Sequence, residues 1–167
     1  MDALTILRQE HSALLRELFQ LDQQLTSLES SGPIKGTRVL KELAETERGM
    51  RSNLELHMRK EERGLFPILE TKLGQDRELV DVMKSEHAEL LGSLDSFKKE
   101  LERMNSEHDT RKTWNLASKL QELRGGLSDH MSREDRVLFW LAELRLSWLD
   151  QRKIASSLSD LQPKPYT

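Results

Sequence analysis

The chain contains no cysteine, and this absence excludes several kinds of chemistry at once. Disulfide bonds, thiolate nucleophiles and metal sites built from thiolates all require that residue. Aromatic residues make up only 5% of the 167 residues, whereas charged residues make up 33%. This composition is typical of long helices rather than of sheets, and the length favours a single domain.

Long apolar runs and blocks of like charge are also missing. No stretch approaches the roughly 20 apolar residues that a membrane span needs, and the first residues lack the basic and apolar regions of a signal peptide. Acidic and basic residues are interleaved, with a net charge of −3, so there is no basic surface of the kind that binds nucleic acid. We therefore expect a cytoplasmic protein with neither a nucleic-acid nor a membrane partner.

What the sequence does contain is a ten-residue motif that occurs twice. HMRKEERGLF begins at His57, and HMSREDRVLF begins at His130. A looser pair precedes them: EHSALLREL begins at Glu10, and EHAELLGSL begins at Glu86. Internal repetition of this kind indicates a structural unit that is used twice.

Apolar residues recur at helical spacing in four segments, and residues of the repeat interrupt each stripe where a buried side chain is expected. The interrupting residues are His11 in the first segment, His57 and Glu61 in the second, His87 in the third, and His130 and Glu134 in the fourth. Continued in the same register, the second and fourth stripes predict burial of Ile68, Val137, Leu141 and Leu144. Phe66, Phe139 and Trp140 are also expected in the core, as are Met58 and Met131, which follow the histidines.

Turn residues separate these segments and predict an all-α fold, an antiparallel up-down four-helix bundle with a possible short C-terminal helix. The breaks are SGPIKG at residues 31–36, Pro67 with Gly74, and NSEHDT at residues 105–110. The candidate N-terminal caps of the second, third and fourth helices are Thr37, Asp76, and Asp109 or Thr110. We expect the bundle to occupy residues 1–146 and an extension with a frayed tail to occupy residues 147–167. His108 lies off every stripe and is expected to be solvated.

Helix lengths predict that the interrupting residues meet. His11 lies about 22 residues before the first break and His57 about 20 after it, so both paths are on the order of 30–35 Å at ~1.5 Å per residue. The path from His87 to the break at residues 105–110 and the path from that break to His130 have similar lengths. In an antiparallel bundle the four histidines then return to one level, with both glutamates projecting inward beside them.

Such a cluster is costly in an apolar core unless something compensates its charge. Metal ions satisfy every member, because carboxylates and neutral imidazoles are both good ligands. Six ligands exceed what one tetrahedral zinc ion uses, and mixed nitrogen and oxygen ligation suits iron, manganese or zinc. Two carboxylates on adjacent helices can bridge two ions, as in di-iron bundles. Glu10 and Glu86, beside the lone histidines, are either solvated or hydrogen-bond acceptors for an imidazole N–H.

The order of these motifs resembles the hemerythrin-like, or HHE cation-binding, family. A lone histidine, HMRKEERGLFP, a second lone histidine and HMSREDRVLF carry the resemblance, which covers roughly residues 1–146. It implies two iron ions in an oxo- or hydroxo-bridged centre inside a four-helix bundle. By matching position, the resemblance implies that the terminal ligands are His11, His57, His87 and His130 and that the bridging ligands are Glu61 and Glu134.

Two departures from the family pattern bear on the site. Hemerythrin has an HxxxH on its third helix, and here Leu91 stands four residues after His87, so one ligand fewer is expected. Hemerythrin also places its last carboxylate five residues after the histidine, which would select Asp135. The internal repeat and the core register favour Glu134 instead.

The sequence leaves the function open between three classes. A di-iron centre with an open position in an apolar pocket suits binding of O2, NO or peroxide, with Leu14, Leu15, Leu65, Leu90, Leu91 and Leu138 as candidate pocket walls. The alternatives are a redox enzyme that decomposes peroxide or reduces NO or O2, and a factor for iron homeostasis or iron-sulfur repair. Repair members of the family often carry a cysteine-bearing N-terminal region, which this sequence lacks. A protein partner or a homo-oligomer is compatible with all three.

Overall fold

The computed structural model describes residues 2–104 and 109–161, and this part of the chain is helical with no strand. The helices are α1 (Ala3–Glu29), α2 (Pro33–Lys60), α3 (Phe66–Leu73), α4 (Glu78–Glu102), α5 (Thr110–Arg133), α6 (Phe139–Arg145) and α7 (Trp148–Asp160). A π-helical turn, Glu61–Leu65, joins α2 to α3, and a second, Glu134–Leu138, joins α5 to α6. A short 3₁₀ turn, Gly74–Arg77, precedes α4.

The four long helices form the bundle that the sequence predicts. Helix α1 packs against α2 and α5, and α4 packs against α5 and α2, so the chain forms an antiparallel four-helix arrangement. The short C-terminal helix is also present. It is α7, which packs against α1 and against the first π-helical turn.

The helix caps agree with the sequence at one of three places. Asp109 is the N-terminal cap of α5, and its side chain accepts hydrogen bonds from backbone N–H groups of the first turn. Thr37 is not a cap, because α2 already begins at Pro33, where the missing N–H of proline costs no helical hydrogen bond. Asp76 is not a cap either, since it lies inside the 3₁₀ turn before α4. Gly74 ends α3 at a φ of 58°, a conformation that glycine adopts readily.

A polar layer divides the core into two apolar clusters. One cluster contains Leu14, Leu54, Leu90 and Leu127 together with Met58 and Met131, which are buried as predicted. The other contains Leu7, Leu65, Phe66, Leu138 and Phe139 and lies toward the end of the bundle that α7 covers. The histidines and glutamates of the repeat fall between the two sets along every long helix.

The two π-helical turns overturn the predicted register beyond the glutamates. A π turn accommodates one extra residue, which rotates the following helix by about 100° relative to a continuous α-helix. Trp140 is 54% exposed and Leu144 62% exposed, while Val137 is 41% exposed, so their predicted burial is wrong. Ile68 and Leu141 are only partly buried. Phe66 and Phe139 are buried as predicted, and Leu65 and Leu138 are buried beside them.

The predictions that His108 is solvated and that the tail is frayed concern residues outside the described part of the chain, namely His108 and residues 162–167. Among the helices that are described, none is both long and apolar enough to cross a membrane.

Candidate metal centre

The six residues that the sequence singles out lie together in the polar layer. Each histidine is at most 2% exposed, and both glutamates are fully buried. The set is His11 from α1, His57 from α2, His87 from α4, His130 from α5, and Glu61 and Glu134 from the two π-helical turns.

Both glutamates occupy the first residue of a π-helical turn. The backbone N–H of Phe66 donates to the carbonyl oxygen of Glu61, five residues earlier, and Phe139 donates to Glu134 in the same way. The widened turn also brings the two phenylalanines inward, where they stack on histidine rings: Phe66 on His87 and Phe139 on His11. Pro67 follows the first turn and Trp140 the second, so a proline is not what produces the widening.

The polar atoms form two half-sites that share both glutamates. His11, His57, Glu61 and Glu134 offer ligand atoms within 4.8 Å of one another, and so do Glu61, His87, His130 and Glu134. The Nε2 atom of His11 lies 3.1 Å from Glu134 Oε2, and that of His57 lies 3.5 Å from Glu61 Oε1. In the other half-site, His87 Nε2 lies 3.2 Å from Glu61 Oε2 and His130 Nε2 lies 3.4 Å from Glu134 Oε1.

An outer carboxylate fixes the orientation of each imidazole. Every Nδ1 atom lies within hydrogen-bond distance of a carboxylate oxygen: His57 of Glu10 at 3.0 Å, His130 of Glu86 at 2.9 Å, His87 of Glu62 at 2.8 Å and His11 of Asp135 at 3.3 Å. Ionised carboxylates only accept hydrogen bonds, so each Nδ1 carries a proton, and each Nε2 faces inward, where a neutral imidazole presents its lone pair. Such partners raise the basicity of metal-binding histidines.

Half of this outer set was missed in the sequence. Glu10 and Glu86 were candidates because they precede the lone histidines, and the structure places both on imidazoles. Glu62 and Asp135 accept hydrogen bonds from His87 and His11, and neither acid is next to a histidine in the sequence. The available signal was the repeat itself, since an acid follows the glutamate in both copies.

The same arrangement separates Glu134 from Asp135. The side chain of Glu134 is fully buried among the Nε2 atoms, whereas that of Asp135 is 40% exposed and contacts the outer Nδ1 of His11. An aspartate whose carboxylate occupies the outer position is not placed to bridge the half-sites.

The inner atoms fit metal ions better than they fit one another. His11 Nε2 and His57 Nε2 lie 3.0 Å apart, although both are lone-pair atoms when Nδ1 carries the proton. Two nitrogens bound to one ion at roughly 2.1 Å and at a right angle would be about 3 Å apart. Among the described residues, the buried atoms without a hydrogen-bond partner include both carboxylate oxygens of Glu61 and Glu134 and the Nε2 atoms of His87 and His130.

Charges in the cluster are strongly perturbed without a cation. Burial and then the neighbouring Glu134 raise the pKa of Glu61 well above its usual range. Burial would also raise the pKa of Glu134, but the neighbouring imidazoles of His11 and His87 outweigh it and lower that pKa. Burial would lower the pKa of His87, yet the neighbouring carboxylates of Glu134 and Glu61 raise it to about 10. Burial lowers the pKa of His130 to about 4.

Apolar side chains enclose the layer on both sides. Of the predicted pocket walls, Leu14, Leu65, Leu90 and Leu138 are buried, and Leu91 is partly buried against the first apolar cluster. The sixth predicted wall is wrong, because Leu15 is 42% exposed.

Comparison with known proteins identifies a cation-binding family. A family model described as the hemerythrin HHE cation-binding domain matches residues 2–142. The chain is also similar to proteins named iron-sulfur cluster repair protein YtfE from Escherichia coli O157:H7, Escherichia coli strain K12/DH10B and Shigella boydii serotype 18, with 34% identity over 92 residues in each case. These matches cover 54% of this chain and 42% of each relative, so the chain spans less than half the length of those relatives.

Proposed function

The chain belongs to the hemerythrin HHE cation-binding family, and from that premise we propose that it is a non-haem di-iron protein that binds a small oxidant or diatomic molecule, namely O2, NO or peroxide, inside its bundle. The single observation that carries the proposal is the pair of half-sites, each with two inward imidazole nitrogens and a share of the same two buried carboxylates. A single ion would leave one pair of histidines with no partner for Nε2.

Each residue of the cluster would act as a metal ligand. His11 and His57 would hold one ion, His87 and His130 the other, and the carboxylates of Glu61 and Glu134 would bridge them. When bound, the two irons supply redox-active positions at which a small molecule coordinates. Each ion would then have four protein donors, and a metal that accepts six would keep room for an outside ligand.

The surrounding side chains determine what reaches the centre and how it is held. The outer carboxylates keep each imidazole proton on Nδ1, so that Nε2 remains available inside. Phe66 and Phe139 cover two of the rings, and buried leucines exclude bulk water from the layer. A dry apolar enclosure favours small uncharged molecules over hydrated ions as ligands of the finished centre.

The test is to load the protein with iron and follow its absorption spectrum. Reduced protein is exposed in turn to O2, NO and peroxide, and the gas is then removed. Bands that appear with O2 or NO and disappear on removal support a binding protein. Sustained consumption of peroxide or NO over many turnovers supports the enzyme alternative. Iron-loaded protein whose spectrum responds to none of the three contradicts the proposal.

A second candidate function is iron-sulfur cluster repair, or another role in iron handling. It is favoured by the 34% identical match to proteins that carry that name. Because the chain covers 42% of their length, the activity of the whole relatives is not carried over by the match alone. The corresponding test is whether the iron-loaded protein restores activity to an enzyme whose [4Fe–4S] cluster has been damaged by peroxide. The variant Glu61→Gln is the matched control.

A further inference from the structure

A cavity of about 210 Å³ opens between α4 and α5 and reaches the edge of the candidate metal centre. Its lining includes His130, Leu90, Ser93 and Gly126. Gly126 lets the Leu90 side chain pack closely against α5, because a Cβ atom at that position would lie 3.3 Å from Leu90 Cδ2. The cleft therefore leads from the protein surface toward His130, one of the four candidate histidine ligands.

The equivalent place in the other half of the repeat carries larger side chains. Asn53 is the equivalent of Gly126, since each stands four residues before a histidine of the longer motif. Glu17 is the equivalent of Ser93, since each stands six residues after a lone histidine. The Asn53 side-chain amide donates to Glu17 Oε1 at 2.6 Å, which joins α1 to α2 across that position. The small residues of the cleft, Ser93 and Gly126, thus have larger, hydrogen-bonded counterparts in the other half.

The rim of the cleft also differs in charge. Glu89 and Asp129 line it and are exposed, and their equivalents in the other half of the repeat are Ala13 and Leu56. The third acid of the cleft, Glu86, accepts hydrogen bonds from His130 and contacts the guanidinium of Arg133. Two carboxylates at the rim give the mouth of the cleft a negative potential.

We propose that the cleft between α4 and α5 is the port through which a divalent metal ion enters the centre, with Glu89 and Asp129 attracting the ion at the rim. The inference rests on the proposed function, since it presupposes that the cluster holds metal. Past the rim, an entering cation meets the carboxylate of Glu86, a good ligand for a hard or borderline metal, which is hydrogen-bonded to Nδ1 of His130. Glu86 must give up its contact with Arg133 before it can bind the ion.

The experiment measures how fast the metal-free full chain takes up Co²⁺, whose absorption bands report coordination without redox chemistry. The double variant Glu89→Gln with Asp129→Asn removes the rim charges. We expect uptake about three- to tenfold slower at low ionic strength, with a smaller difference in high salt because surface attraction is screened. The final number of ions bound should stay the same, since neither residue is a candidate ligand.

A second double variant, Ser93→Gln with Gly126→Asn, closes the cleft with an uncharged copy of the Asn53–Glu17 contact. We expect uptake to slow severalfold at every ionic strength, again with unchanged final binding. The matched control is Gly125→Ala, which raises helix propensity at the neighbouring residue, where no atom lies within 4 Å of the added Cβ. Glu78→Gln with Asp81→Asn is the charge-matched control on α4, away from the rim.

Wild-type uptake rates in both double variants would overturn the port while leaving the proposed function intact. Slowing by the cleft-closing variant alone would overturn the assignment to a cation, because rim charge would then play no part. A wild-type chain that binds no stoichiometric Co²⁺ would overturn both the port and the metal centre on which it depends.

Discussion

Replacing Glu61 by glutamine should change the stability of the protein in opposite directions with and without metal. In the metal-free protein, burial and the neighbouring Glu134 raise the pKa of the Glu61 carboxyl. The folded state therefore holds a proton there more tightly than the unfolded chain does. This contribution to stability is fully present below the ordinary pKa of 4.5 and is lost as the pH rises toward the folded value.

Glutamine has the shape of the protonated acid and no charge to desolvate. At neutral pH we expect metal-free Glu61→Gln to be more stable than the wild type by about 1–3 kcal/mol, within the range measured when buried charges are replaced. With metal at a thousandfold excess over its dissociation constant, the wild type gains about 4 kcal/mol by mass action. The variant loses a carboxylate that both half-sites share and should lose most of that gain.

The assay is urea unfolding of both proteins, once with a chelator and once with saturating metal. Glu55→Gln, on the same helix as His57, is the charge-matched control and should behave as the wild type in both conditions. A metal-free Glu61→Gln protein that is destabilised by more than about 1 kcal/mol, and that still gains the full stabilisation from metal, would refute the reasoning.

Three further predictions concern the outer carboxylates, the π-helical turn and pH. Glu10→Gln should weaken metal binding by about 10- to 100-fold, because glutamine holds the proton on His57 Nδ1 less strongly. Competition with a chromophoric chelator measures the affinity, and an unchanged affinity would argue against a role for the outer carboxylate. Gly64→Ala should lower the free energy of unfolding by about 1–3 kcal/mol, since the added Cβ would lie 2.8 Å from Leu158 Cδ2, and Leu158→Ala should relieve part of the loss in the double variant. Because the pKa of His87 is raised to about 10, its contribution to metal-free stability is present below about pH 6.5 and is lost as the pH rises through 10. The free energy of unfolding measured at pH 7, 9 and 10.5 should show this loss in the wild type and not in His87→Gln.

Much of the fold and the clustering of the six buried polar residues could be predicted because both depend on periodicity within single helices. A histidine that replaces a leucine on an otherwise apolar stripe is predicted to be buried. Its distance from the end of the helix then predicts its position along the bundle axis. His11 and His87 are found in this way, as are His57 and His130. The choice of Glu134 over Asp135 follows from the repeat for the same reason.

What could not be predicted depends on local backbone geometry and on contacts between helices. No residue pattern distinguishes a π turn from an α turn in advance, so Trp140 and Leu144 are exposed where a continuous helix would bury them. The hydrogen bonds from His87 to Glu62 and from His11 to Asp135 join different helices, so they require the packed bundle. The cleft beside Gly126 likewise depends on how closely two helices approach.

The central claim is that two half-sites, each with two histidines and a share of the same two glutamates, hold two metal ions in one chain. The most direct measurement is the number of iron ions bound per chain after reconstitution and removal of loosely held metal, with protein quantified independently. We predict two ions per chain in the wild type, and fewer in His57→Ala and in His130→Ala, which remove one donor from either half-site. One ion per chain in the wild type, or a count that neither substitution lowers, would contradict the account.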